Sequence, residues 1–340
     1  MAMRITTNMM SGEYKSQMQT TLGQLDYYQK RANDLRKFRK FSEDPVTASK
    51  AMRLRRSYTQ NEDYRNNIST MGETYSMAED AAMDVKAILD QAKEELQTMT
   101  NKGTFPESDL EIFAKTLRGL QEDFVGIVNT KLNDNYVYGG NKATEIPFTV
   151  SADGKLLYRG MDVDDEANAA TLEKLSQERV YVDIGLGVNV DAAGNVDEAS
   201  VFSDDLNGLS YFGYGVDESG KSNNIYNMLG EAATAIESYL AGDESAFNSE
   251  IAGEYVGKVI DATDKLLVSV GNLGIKTSQL ERLEKRLLNT QEDLNEQLSN
   301  LEYVDAEEAY TDLTWQQYVY DASLKIGSNL LQSSFLDYMR

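Results

Sequence analysis

The longest unbroken pattern of apolar positions runs from Tyr64 to Met99. Tyr64, Ile68, Met71, Tyr75, Ala78, Ala82, Val85, Leu89, Ala92, Leu96 and Met99 alternate steps of four and three, with polar residues between them. That spacing is a heptad seam held for about five heptads, and it predicts one long helix packed along its length. "SEDP" at 42–45 supplies the start. Ser42 or Asp44 can cap, Pro45 in the first turn loses no needed N–H, and carboxylates suit the positive end of the helix dipole. "NKGTFPESD" at 101–109 then holds a glycine stop, and Pro106-Glu107 opens a second helix. Its seam is Leu110, Phe113, Leu117, Leu120, Phe124, Ile127 and Lys131. A short turn between two long helices implies antiparallel packing.

From about Asn133 the period changes. Aromatic-rich extended runs surround Gly-Gly and Asp-Gly pairs, and "FTVSADGKLLYR" predicts a hairpin closed by the two residues Asp153-Gly154. Val180, Val182 and Ile184, then Val188 and Val190, predict a further strand and turn. Residues 136–222 therefore form a small β-rich domain.

Helix returns near Asn224, with Ile225, Leu229, Ile236 and Leu240 on one face. "LAGDESAF" stops and restarts it, and a long helix follows with a leucine at every seventh position: Leu273, Leu280, Leu287, Leu294 and Leu301. The two ends of the chain match in character. The first forty residues carry a thin apolar stripe (Met18, Leu22, Leu25, Leu35, Phe38), and so does the last segment (Leu313, Tyr320, Leu324, Leu331, Phe335).

The layout is palindromic, so the chain goes out and comes back. The fold class is mainly α with a β-rich insertion: an elongated antiparallel bundle of long, coiled-coil-like helices, with the N- and C-terminal helices paired. Three domains follow. Residues 1–44 and 305–340 make a terminal helical domain, 45–135 and 223–304 a helical core, and 136–222 the outer β domain. The thin terminal stripes predict helices that order on assembly, where other subunits cover them; Ile5, Met18, Leu22, Leu25, Leu313, Leu324, Leu331 and Phe335 are the interface candidates.

Composition narrows the chemistry. There is no histidine or cysteine among the 340 residues, which excludes thiolate and imidazole catalysis, the usual zinc ligand sets, Ser-His-Asp hydrolysis and any disulfide scaffold. The formal charge of −23 argues against nucleic acid as a partner. It is uneven: residues 1–60 hold twelve Lys and Arg against five Asp and Glu, whereas 134–220 hold five against seventeen. The basic block is either a phosphate-binding arm or a surface for self-association against an acidic neighbour, and the second reading is preferred. No apolar run has the length of a secretory signal or a membrane span.

Glu43-Asp44-Pro45 reads as a helix start rather than a catalytic carboxylate pair, which needs a partner to tune it. Asp162, Asp164, Glu166 and Glu173 fall at the first, third, fifth and twelfth positions of a calcium loop. Ala167 stands where that loop needs glycine, and the reading is a solvated acidic loop. No catalytic, cofactor or metal site emerges.

Four stretches, in order along the whole chain, carry a resemblance: "MRITTNMM", "SEDPVTASKAM", "NDNYVYGGNKATEIPF" and "LLQSSFLDYMR". Together they resemble the bacterial flagellin superfamily, and within it the proteins of the hook–filament junction. By that resemblance Arg4 opens the terminal helix, and Asp44-Pro45 marks the passage from terminal domain to helical core. Tyr138-Gly139 followed by Pro147-Phe148 leads into the β domain. A flagellin proper usually has an Asp-Asp-Ala-Ala-Gly-Leu-Ala run where this chain has Asp44-Pro45-Val46-Thr47-Ala48-Ser49, and the final "LDYMR" is closer to a flagellin ending. The resemblance implies a non-enzymatic structural subunit outside the cell. Its partners are other copies in a ring, a hook-side hook-associated protein, flagellin, a cytoplasmic chaperone and the flagellar type III export apparatus. A filament flagellin, or a secreted adhesin built on a coiled coil, are the alternatives.

Overall fold

The computed structural model describes residues 7–101, 106–185, 187, 190, 196, 201–243 and 245–338; side chains at 7, 8, 101 and 330–338 stand outside that description. Eight α-helices account for most of it: α1 (Thr7–Asp34), α2 (Pro45–Asn101), α3 (Glu107–Val128), α4 (Ala169–Ser176), α5 (Gly208–Phe212), α6 (Ile225–Leu240), α7 (Ser249–Glu302) and α8 (Ala306–Tyr338). The chain divides into two compact units, Met1–Glu62 with Leu288–Arg340, and Asp63–Leu287.

In the unit Asp63–Leu287, the heptad seam of α2 is the spine of the core. Every seam residue from Ile68 to Met99 is buried, and Tyr64 is half-buried. The same cluster takes Leu110, Leu117, Leu120 and Phe124 from α3, Ile225, Leu229 and Ile236 from α6, and Leu273, Leu280 and Leu287 from α7. The seven-residue spacing of α7 also extends backwards through Leu266, Val259 and Ala252, all fully buried. Ser249 Oγ donates to the carbonyl of Thr100 at 2.8 Å, joining the start of α7 to the end of α2. Asn224 caps α6 by accepting from the N–H groups of Tyr226 and Asn227. The seam of α3 ends earlier than its spacing suggests: the helix stops at Val128, and Lys131 already lies in a strand, paired with Tyr136.

The strand content between α3 and α6 is thin. Among the described residues there are seven strands of two or three residues: β1 (Lys131–Leu132), β2 (Asn135–Tyr136), β3 (Phe148–Val150), β4 (Leu156–Tyr158), β5 (Met161–Asp162), β6 (Val180–Val182) and β7 (Phe202–Asp204). They make three separate antiparallel sheets, β1-β2, β3-β4-β5 and β6-β7, and Val190 bridges Val196. Val188 lies outside the described residues. The β3–β4 hairpin is not closed by two residues. Ser151 N–H donates to the Lys155 carbonyl at 2.9 Å, leaving Ala152, Asp153 and Gly154 as a three-residue loop. Gly154 sits at φ +78, which is the left-handed residue such a loop requires.

Candidate subunit interface

In the unit Met1–Glu62 with Leu288–Arg340, α1 and α8 run antiparallel, and their contacts form a ladder. At its base Val304 N–H donates to the Leu35 carbonyl and Lys37 N–H to the Glu302 carbonyl, both at 2.8 Å. One turn up, Arg31 reaches Glu308 and Asp312 at 2.9 Å each; those carboxylates are four residues apart on one face of α8. Higher still, Gln316 Nε2 donates to the Thr21 carbonyl at 3.4 Å and to Gln24 Oε1 at 3.2 Å. Near the far end, Gly327 is buried, and a Cβ there would lie 2.1 Å from the Tyr14 ring. A helix-interior glycine costs about 1 kcal/mol against alanine, and the close approach of the tyrosine supplies its reason here.

The connection below this ladder explains "SEDP". Asp44 Oδ1 accepts from the N–H of Thr47 at 3.0 Å, so Asp44 is the cap of α2 and Pro45 its first residue. The Thr47 hydrogen bonds hold the Asp44 carboxyl below the usual carboxylate range. Glu43 accepts from the Arg39 N–H at 2.8 Å. Both acids are engaged with backbone. Arg55 meets the buried Glu302 at 2.6 Å.

Among the described residues the ladder covers little apolar surface. Its buried hydrophobic cluster is Ala32, Val304 and Ala309, with Leu35 and Leu313 packed against it. Met18 and Leu25 are half-buried, whereas Leu22 is 46% exposed and Leu324 43%. Trp315 and Tyr318 are each 66% exposed, with ring centroids 5.9 Å apart; Tyr27, Tyr310 and Ile326 are exposed as well. None of these five stood out from the apolar stripe, although the aromatic density of "YTDLTWQQYVYD" marks three of them. Arg4 and Ile5 lie outside the described residues, as do the side chains of Leu331 and Phe335. Two paired helices with exposed aromatics present a surface suited to further helices, since such an amphipathic face is stabilised mainly by packing.

Tyr138, Gly139, Pro147 and Phe148 belong to the other unit and are all buried there. Tyr138 Oη donates to the Ala78 carbonyl of α2 at 2.6 Å, and burial pushes its pKa far up. The Gly139 carbonyl accepts from Arg159 at 2.6 Å, and Arg159 also pairs with Glu178 at 3.1 Å. Phe148 is gripped at both ends by Asn129, which accepts from its N–H at 3.2 Å and donates to its carbonyl at 2.9 Å. These residues tie the loops after α3 to the helices and carry no reactive group. Of the leucine seam on α7, Leu280 and Leu287 are buried, while Leu294 and Leu301 are half-buried.

The acidic loop does not gather its carboxylates. Asp162 meets Lys155 at 3.3 Å, and Asp164 accepts from Asn227 at 2.6 Å. Glu166 and Glu173 are exposed on separate helical turns. Among the described residues no group of three or more Asp and Glu is placed to hold a metal ion, and no helix is long and apolar enough to cross a membrane.

The family model of the bacterial flagellin C-terminal helical region matches residues 255–339, the stretch from early α7 through α8. The flagellar hook-associated protein 3 of Escherichia coli (strain K12) is 23% identical over 296 residues, which is 85% of this chain and 84% of that protein. The chain is similar to flagellar hook-associated protein 3. The same protein of Salmonella typhimurium is also 23% identical, over 310 residues and 88% of both chains. Among solved structures, a flagellar hook-associated protein from Vibrio parahaemolyticus superimposes with a TM-score of 0.59, at 14% identity. It covers 77% of this chain and all of that one. Xanthomonas campestris FlgL gives 0.53 at 12% identity, over 72% of this chain and 99% of that one. These structures share the fold: long helices with a small β region in the middle.

Proposed function

We propose that this chain is a structural subunit of the bacterial flagellum that joins hook-associated proteins to the flagellin filament. The observation that carries the reading is the extent of the similarity to flagellar hook-associated protein 3, which spans 85% of this chain and 84% of its relative. That both curated relatives are named hook-associated proteins and not flagellins favours this role over a filament flagellin.

The mechanism is mechanical. The α1–α8 pair takes helices of neighbouring copies onto its aromatic faces to form a ring, with Met18, Leu22, Leu25, Leu313 and Leu324 contributing. The heptad seams stiffen the helical core of 45–135 and 223–304, and residues 136–222 face outward. The ring meets a hook-side hook-associated protein on one side and flagellin on the other. The chain reaches that place outside the cell through the type III apparatus with a cytoplasmic chaperone, and it performs no catalysis.

The test is deletion of the gene, with electron microscopy of the cells and an assay of the medium for flagellin. Hooks without filaments and flagellin in the medium are expected. Intact filaments refute the junction role, and bare hooks with no released flagellin point instead to the main filament subunit.

A further inference from the structure

Charge in the unit Met1–Glu62 with Leu288–Arg340 is segregated along the chain. Residues 30–56 carry ten Lys and Arg against three Asp and Glu, while residues 288–324 carry nine Asp and Glu and no Lys or Arg. Part of this is matched within the unit: Arg31 on Glu308 and Asp312, Arg55 on Glu302, Lys30 on Asp26, Arg39 on Asp34, and Lys37 on the Asn300 carbonyl. The remainder faces solvent. Arg53 and Arg56 are exposed on α2, on the side away from the buried Ala48 and Ala51, and Lys40 is exposed in the loop before it. Among the described residues the side chains of these three make no hydrogen bond or ion pair. Exposed apolar side chains stand among them: Phe41, Val46 and Met52.

The complement lies on α7. Leu288, Glu292 and Glu296 follow at four-residue intervals along one exposed side, opposite the half-buried Leu294 and Leu301, and Asp293 flanks them. These carboxylates, too, have no ionic partner among the described residues.

We propose that the basic strip of one copy docks on the acidic strip of the next. Lys40, Arg53 and Arg56 meet Glu292, Asp293 and Glu296, with Val46 and Met52 set against Leu288. The occupant is a second copy because this chain carries both halves of the complementary pair, and its net charge of −23 disfavours a polyanion in that place. The two patches differ, so the contact is head-to-tail. A head-to-tail contact builds a ring or a helical array rather than a two-fold dimer. This rests on the assembly reading above and names the surface through which copies meet.

The experiment is sedimentation velocity of the full-length chain at about 0.01 M salt, where the screening length is about 30 Å, and at about 1 M, where it is about 3 Å. Association is expected at low salt and lost at high salt. The variants R53E/R56E and E292K/E296K, each with wild-type helicity by circular dichroism, associate at least about tenfold more weakly on their own. Mixed in equal amounts they associate again, because each reversed strip then faces a strip of opposite sign. The neutral pair R53Q/R56Q falls between wild type and reversal.

A wild type that stays monomeric at low salt overturns the proposal, as does association indifferent to salt or a reversal variant that behaves as wild type. A mixture that remains monomeric also overturns it and assigns the basic strip to a different acidic partner. None of these outcomes touches the junction role. That role fails only if the deletion strain keeps its filaments.

Discussion

Replacing Gly208 by alanine probes how the loops after α3 are fixed to the helices. Gly208 opens α5, and its N–H donates to the Tyr138 carbonyl at 3.2 Å. A Cβ at this position lies 2.4 Å from Phe148 Cε2 and 2.5 Å from Cζ. Carbon atoms in contact sit at about 3.5–4.0 Å, so one side must give by about 1 Å or more. Neither is free to do so. The backbone of Phe148 is held on both sides by Asn129, and its ring is packed against Tyr158 at 5.1 Å and Phe212 at 6.0 Å between centroids. Gly208 in turn follows Asn207, whose side chain caps α5 and whose backbone bridges Gly139. Overpacking of this kind costs about 1–3 kcal/mol and sometimes more. The loss of glycine freedom in the unfolded chain returns about 0.4–1 kcal/mol, so the net sign is destabilising. For a unit the size of Asp63–Leu287 each kcal/mol moves the melting midpoint by roughly 2–4 °C. The assay is thermal and urea unfolding followed by circular dichroism, with G119A as control. Gly119 is exposed on α3 with open space around it, and alanine there should stabilise by up to about 1 kcal/mol. Equal midpoints for G208A and wild type refute the packing argument.

Three further expectations concern the seam, a buried acid and the terminal pair. Leu280→Ala should cost about 2–5 kcal/mol in urea unfolding, whereas Leu294→Ala, at a half-buried position, should cost far less; similar losses at both refute the assigned burial. Burial raises the pKa of Glu231, whose two carboxylate oxygens accept from the Ser222 N–H at 3.2 and 3.1 Å. The folded state therefore binds the proton more tightly than the unfolded state, and stability falls as pH rises from the usual carboxylate range to the raised value. Glu231→Gln should gain on wild type across that window and run parallel to it above; a constant difference at all pH values refutes the assignment. Gly327→Ala should push Tyr14 off α8 and speed limited proteolysis at the chain ends, while leaving unfolding of Asp63–Leu287 unchanged; an unaltered cleavage rate refutes the close approach.

The long helices were legible because their signal is periodic and their partners lie in the same chain. Every seam residue from Ile68 to Met99 is on the buried face of α2, and Pro45 and Asn224 marked helix starts because cap and first-turn chemistry is local. On α7 the same seven-residue spacing pointed back to Leu266 and Val259, but glycines at 257, 271 and 274 thinned the signal there. The region between α3 and α6 was harder for a physical reason. Its strands are two or three residues long, too short for alternation to accumulate, and its order comes from side chains reaching across sequence. Asn129 grips Phe148 and Arg159 spans Gly139 and Glu178, and no local spacing encodes either contact.

The terminal pair shows what a stripe can and cannot disclose. Leu22 and Leu324 are exposed, whereas Leu313 packs within the chain, yet all three lie on equally thin stripes. Burial inside one chain and burial between chains demand the same residue types, so pattern alone does not separate them. What separates them is how much apolar surface the fold leaves uncovered. Among the described residues of this unit that surface includes Trp315 and Tyr318, against an internal cluster of Ala32, Val304 and Ala309 with Leu35 and Leu313. Exposed aromatics of that size beside so small a buried cluster are the observation on which the proposed packing of further helices rests.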